Sequence, residues 1–80
     1  MIYIAAPYSA KSKEVVKQRV KKVCEYSADL LVKRISCISP ITLGTGILTE
    51  TNLPTDFEFW QHLSYDLLKL CDTLHVLKLD

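Results

Sequence analysis

The sequence has 80 residues, 49% of them apolar, and a formal net charge of +1. That composition is one small domain, too apolar for disorder and too short to bury much more than about 60% of its unfolded surface. A near-neutral chain without interleaved aromatics on a basic stretch excludes an ordinary nucleic-acid binder, and no apolar run approaches the roughly 20 residues of a membrane span.

Charge is nonetheless unevenly placed. Residues 1–40 hold eight Lys/Arg against three Asp/Glu, and residues 41–80 hold two against six. A solvated basic helix face explains the first half, and complementary halves favour self-association. Cys24, Cys37 and Cys71 are odd in number and widely spaced, which suits neither a disulfide framework nor a zinc site. They read as buried free thiols in a reducing compartment. His62 and His75 have no Cys or His neighbours at ligand spacing, so neither a metal nor a cofactor is expected. No basic-then-apolar leader precedes Ile2, and the expected location is the cytoplasm.

In chain order, Ile2-Tyr3-Ile4 is an apolar, β-branched run that reads as a buried strand. It narrows to Ala5-Ala6 and breaks at Pro7. Ser12 is a suitable N-cap with Glu14 in the first turn, and Val16, Val20, Val23, Ser27 and Leu31 recur at steps of three and four, with Cys24 and Leu30 beside them. The spacing predicts an amphipathic helix from Ser12 to Lys33. Ile35 to Ser39 reads as a second buried strand stopped by Pro40, giving a βαβ unit with parallel strands and a right-handed crossover.

Residues 41–54 show no clear periodicity and hold both glycines, so they read as a long functional loop, with a helical turn at Ile47 to Glu50 at most. Gly44-Thr45-Gly46 lacks the lysine of a phosphate-binding loop. Thr55 and Glu58 have capping-box spacing, so a second long helix starts there and runs to about Asp72. Phe57, Trp60, Leu63, Leu67 and Leu70 form its apolar face. Trp60 at that spacing suits a core position or a stacking platform. Thr73 to Leu79 reads as a third strand buried on both faces. The expected fold is α/β and three-layered, a short parallel sheet (βαβαβ, order 2-1-3). The crevice would lie beside the end of the first strand, where Ala6 to Ser9, Pro40 to Gly46 and Lys78 to Asp80 converge.

The strand and loop Ile2 to Ser9, Ser39-Pro40-Ile41-Thr42, the run Leu53 to Trp60 and Asp66-Leu67-Leu68 with Cys71-Asp72 together resemble the nucleoside 2-deoxyribosyltransferase-like superfamily. The similarity is to a short bacterial and phage branch, and the fold it implies is a truncated flavodoxin-like half. That family cleaves or exchanges N-glycosidic bonds with a glutamate nucleophile. The resemblance implies that Tyr3 lies beside the nucleophile position, that Tyr8 packs on the base, and that Asp66 belongs to the sugar site. It places Thr42 to Gly46 (Thr42, Gly44, Thr45 and Gly46) against the base.

The glutamate follows the third strand in the family and has no counterpart up to Asp80, which leaves Asp66 or Asp80 as the candidate catalytic carboxylate. The expected ligand site is therefore Tyr3, Ala6, Pro7, Tyr8, Ser9, Thr42, Gly44, Thr45, Gly46, Trp60 and Asp66. The expected activity is binding of a nucleoside- or nucleotide-like molecule without turnover, such as sequestration of a host-defence signal by a phage protein. An N-glycosidic hydrolase or transferase, and a structural module with a vestigial site, stay open. A homo-oligomer is expected under all three, through the third strand or second long helix, because an apolar strand lacks cover.

Overall fold

The computed structural model describes residues 1–7 and 12–78. Three strands, β1 (Ile2–Ala5), β2 (Cys37–Ile38) and β3 (Thr73–Val76), form one parallel sheet in the order β2-β1-β3. Helix α1 (Lys13–Val32) joins β1 to β2, and α2 (Pro40–Glu50) and α3 (Phe57–Leu70) join β2 to β3. The fold is thus α/β with the expected short parallel sheet and strand order.

Side chains alternate across β1, and the two faces meet different helices. Ile4 packs with Val23 and Leu30 of α1 to form the core, joined at its margin by Ile2, Ala6, Tyr26, Cys37 and Leu77 and, from the helix after β2, by Ile41. The hydroxyl of Tyr26 and Nδ1 of His75 hydrogen-bond at 2.7 Å, tying α1 to β3. Tyr3 faces the other way, toward α2 and α3.

Helix α1 starts and ends where its signals place it. The Ser12 side chain accepts the N–H of Glu14 at 3.2 Å, and Lys33 is the C-cap. Of its expected stripe, Val23 is buried and Val16, Val20 and Ser27 are half-buried, and the stripe continues through Leu30 rather than Leu31. At 100° per residue Leu30 stands about 20° from Val23, whereas Cys24 and Leu31 stand about 100° and 80° away. Val23 and Leu30 are buried, and Leu31 and Cys24 are exposed. Cys37 and Cys71 are only partly buried, so the expectation of three buried thiols is corrected.

The largest correction concerns residues 41–54. Residues 40–50 are helix α2, not a loop. Ser39 is buried and caps it by accepting the N–H of Ile41, with Pro40 in the first turn, where its missing N–H costs nothing. Threonines that look like loop residues bond back into the helix: Thr45 donates to the carbonyl of Ile41 at 2.7 Å and Thr49 to that of Thr45 at 2.8 Å. The strand β2 is two residues rather than the expected Ile35–Ser39, and at its end Ser39 is taken by this cap.

Helix α3 is capped by Asp56 rather than Thr55. The Asp56 carboxylate accepts the N–H of Phe59 at 3.2 Å, so Glu58 sits one position too early for a capping box. The expected apolar face is not buried. Trp60, Leu63 and Leu67 are half-buried, while Phe57 is 67% and Leu70 80% exposed. The expectation that the third strand is buried on both faces fails as well. His75 is half-buried toward α1, and Leu74 and Val76 on the other face are 52% and 61% exposed. The physical reason is that α3 packs chiefly on α2 rather than on β3, so Leu74 and Val76 on that face of the strand stay exposed. Leu79 and Asp80, at the expected end of the strand, lie outside the described residues.

Among the described residues no helix is long and apolar enough to cross a membrane, and no cluster of His, Cys, Asp or Glu could hold a metal ion. The carboxylate of Asp72 takes a hydrogen bond from the N-terminal ammonium of Met1 at 3.0 Å. That bond, the ammonium charge and a bond from Thr73 hold its carboxyl below the usual range.

Candidate ligand-binding site

A cavity of about 580 Å³ opens between β1, α2 and α3. Its floor is the end of β1, where Tyr3 is followed by the small residues Ala5, Ala6 and Pro7. The first three turns of α2 form one wall through Pro40, Ile41, Gly44, Thr45 and Leu48. The other wall is the start and inner face of α3: Thr55, Asp56, Phe57, Trp60, Ser64, Tyr65 and Leu68. The cavity therefore sits at the carboxyl end of the central strand, where open α/β sheets place their crevice.

Each wall follows from local sequence. The narrow side chains after Tyr3 let the strand end without filling the space above it. On α2, Ile41, Gly44, Thr45 and Leu48 are spaced by three and four, which lines one side of a helix. The indole of Trp60 is held from two directions. Its Nε1–H donates to the carbonyl of Pro54 at 2.7 Å, and Phe59 stands edge-on with ring centroids 5.4 Å apart. Gly44 lies under this ring, and a Cβ built there would be 3.7 Å from it, ordinary contact. Gly44 thus lets α2 and Trp60 pack closely without being sterically obligatory.

Chemically the cavity is an aromatic and aliphatic shell with few polar groups. Tyr3, Phe57, Trp60 and Tyr65 present ring surface, and Thr45 and Ser64 present hydroxyls. The Thr45 hydroxyl already donates to the Ile41 carbonyl and so can only accept from a ligand. Asp56 is the one carboxylate among the described lining residues, which include no Lys, Arg or His.

Of the residues expected at the site, Tyr3, Ala6, Pro7, Gly44, Thr45 and Trp60 line this cavity. Tyr8 and Ser9 lie outside the described residues. Thr42, Gly46 and Asp66 do not line it. Thr42 donates to the carbonyl of Ser39, and Gly46 has open space beside it. Asp66, expected in the sugar site, is exposed and away from the cavity, so its carboxylate needs no partner to stay charged.

Sequence reasoning missed most of the α2 and α3 walls. The signal was present in α3 as Phe57, Trp60, Ser64 and Leu68, steps of three, four and four. Ser64 hid it, because the competing stripe through Leu63 and Leu67 is more apolar.

A family model described as a domain of unknown function (DUF1937) matches residues 1–80. No curated protein and no solved structure matches the chain.

Proposed function

The chain belongs to the DUF1937 family, and from the cavity it builds we propose that it binds a nucleoside- or nucleotide-type small molecule without turning it over. The observation that carries this reading is the aromatic-lined space of about 580 Å³ at the carboxyl end of β1, a size ordinary for a small-molecule site. Tyr3, Trp60 and Tyr65 offer ring faces to a base. Asp56 and the hydroxyls of Thr45 and Ser64 accept hydrogen bonds from sugar hydroxyls or exocyclic amines. With no cationic side chain among the described lining residues, affinity comes from base and sugar more than from phosphate. ADP-ribose derivatives and cyclic nucleotides belong to the same ligand class. Holding one intact amounts to sequestration, which in a phage setting would withdraw a host-defence signal.

One observation favours a second reading, an N-glycosidic hydrolase or transferase. Attack at the sugar carbon needs a carboxylate in the cavity. Asp56 meets that condition and Asp66 does not.

Both readings are separated by incubating the protein with nucleosides, nucleotides and NAD-derived compounds, following the melting temperature and the chromatography of the products. Binding without turnover predicts a raised melting temperature, the ligand recovered intact, and most of the shift lost in Tyr65→Ala, a half-exposed residue whose removal spares the core. Free base in the products, abolished by Asp56→Asn, would replace this reading with the enzyme. Asparagine caps helices as well as aspartate, so that variant keeps α3. No shift with any compound would leave a structural module.

A further inference from the structure

The sheet ends on one side with the two residues of β2 and on the other with the four of β3. The outer edge of β3 lacks the residues that usually block edge pairing. Thr73-Leu74-His75-Val76-Leu77 holds no proline, lysine or carboxylate. Leu74 and Val76 are exposed on the face that α1 does not cover, and Leu70, just before the strand, is exposed too. Charges stand only at the two ends of this run: Asp72 before it and Lys78 after it, both exposed.

We propose that a second copy of this chain pairs with β3, edge to edge and antiparallel, about a two-fold axis at His75, joining two three-stranded sheets into one of six strands. In that register Asp72 stands opposite Lys78 of the copy and Leu74 opposite its Val76. Each pair occurs twice because the contact is two-fold. Leu74 and Val76 share one face of β3, so the two apolar pairs lie on the same side of the joined sheet, with an ion pair beyond each end of the strand. A shift of one residue would set Leu74 against His75 and put apolar side chains on opposite faces of the joined sheet. Asp72 is 81% exposed while bonded to the Met1 ammonium, so its carboxylate has room for a second cation. The contact is smaller than the ~800 Å² per partner of a standard stable interface, which makes the dimer reversible and concentration-dependent. The pairing needs no ligand and is independent of the function proposed above.

Sedimentation velocity across the micromolar range tests it. The unmodified chain is expected to pass from monomer to dimer with rising concentration. Val76→Lys, at an exposed position, should weaken association roughly tenfold, the combined effect of two lost cross-strand pairs. Lys78→Asp should weaken it as well, and Asp72→Lys combined with Lys78→Asp should restore it. A monomer at every concentration overturns the proposal, as does a Val76→Lys variant that keeps its circular dichroism and dimerises like the parent. Should Val76→Lys not fold, amide hydrogen exchange of the unmodified chain decides. Protection at residues 74–76 that rises with concentration supports the pairing, and protection independent of concentration overturns it.

Discussion

The two faces of the sheet are built from the same strands and are filled in opposite ways. Toward α1, the side chain of Ile4 is fully buried between Val23 and Leu30, and the Tyr26–His75 hydrogen bond closes the margin. Toward α2 and α3, Tyr3 looks into a cavity, and Phe57, Leu70, Leu74 and Val76 remain exposed. The difference follows from how the helices attach. One 20-residue helix lies against β2 and, through Val23 and Leu30, against Ile4 of β1 on the first face. On the second, an 11-residue and a 14-residue helix lean on each other and span the sheet incompletely. An 80-residue chain has material for one closed core, and here the other face keeps a cavity and the exposed side of β3.

The sharpest way to break this comparison is to truncate one residue on each face. Ile4→Ala is expected to cost about 2–5 kcal/mol in urea denaturation, the range for an aliphatic core residue whose cavity cannot collapse. Leu68→Ala, on the cavity wall and already 40% exposed, should cost about 1 kcal/mol or less. Equal losses would mean that the second face is as tightly packed as the first.

A smaller effect tests the margin of the closed face. Tyr26→Phe removes the hydroxyl that meets His75 and should lower stability by about 1 kcal/mol. An unchanged denaturation midpoint would show that the bond between α1 and β3 contributes nothing. Smaller still, Gly46→Ala adds a methyl group where nothing stands within 4 Å, at the centre of α2. As a helix position it should gain about 0.5–1 kcal/mol, seen as a raised melting temperature. A loss would point to the loop that the glycines suggested.

How much was legible depends on the kind of signal. Ser12, Pro7 and the three-four spacing of α1 act through bonds and sterics close in sequence, so β1 and α1 were readable within a residue or two. The floor of the cavity was readable for the same reason, since Ala5-Ala6-Pro7 ends a strand whatever surrounds it. Helix α2 was not. Gly44, Gly46 and three threonines weigh against a helix in isolation, and it stands because Ser39 is buried as a cap and the threonine hydroxyls bond back along the turns. Asp66 and Ser64 show the same limit on α3. The helix is apolar around much of its circumference, so spacing alone could not say whether the stripe through Leu67 or the one through Leu68 faces the cavity.

The sequence by itself determined the α/β class, the strand order and two segments that border the cavity, the end of β1 and the stretch after Pro40. β-branched runs, caps and helical spacing are local, and a βαβαβ succession admits few parallel topologies. Only the tertiary structure decided which helix faces are buried, that α2 is helical, that Asp56 rather than Asp66 reaches the cavity, and that β3 lies bare on one side. Those outcomes depend on where α3 lands on α2, a packing choice set by contacts between residues far apart in the chain.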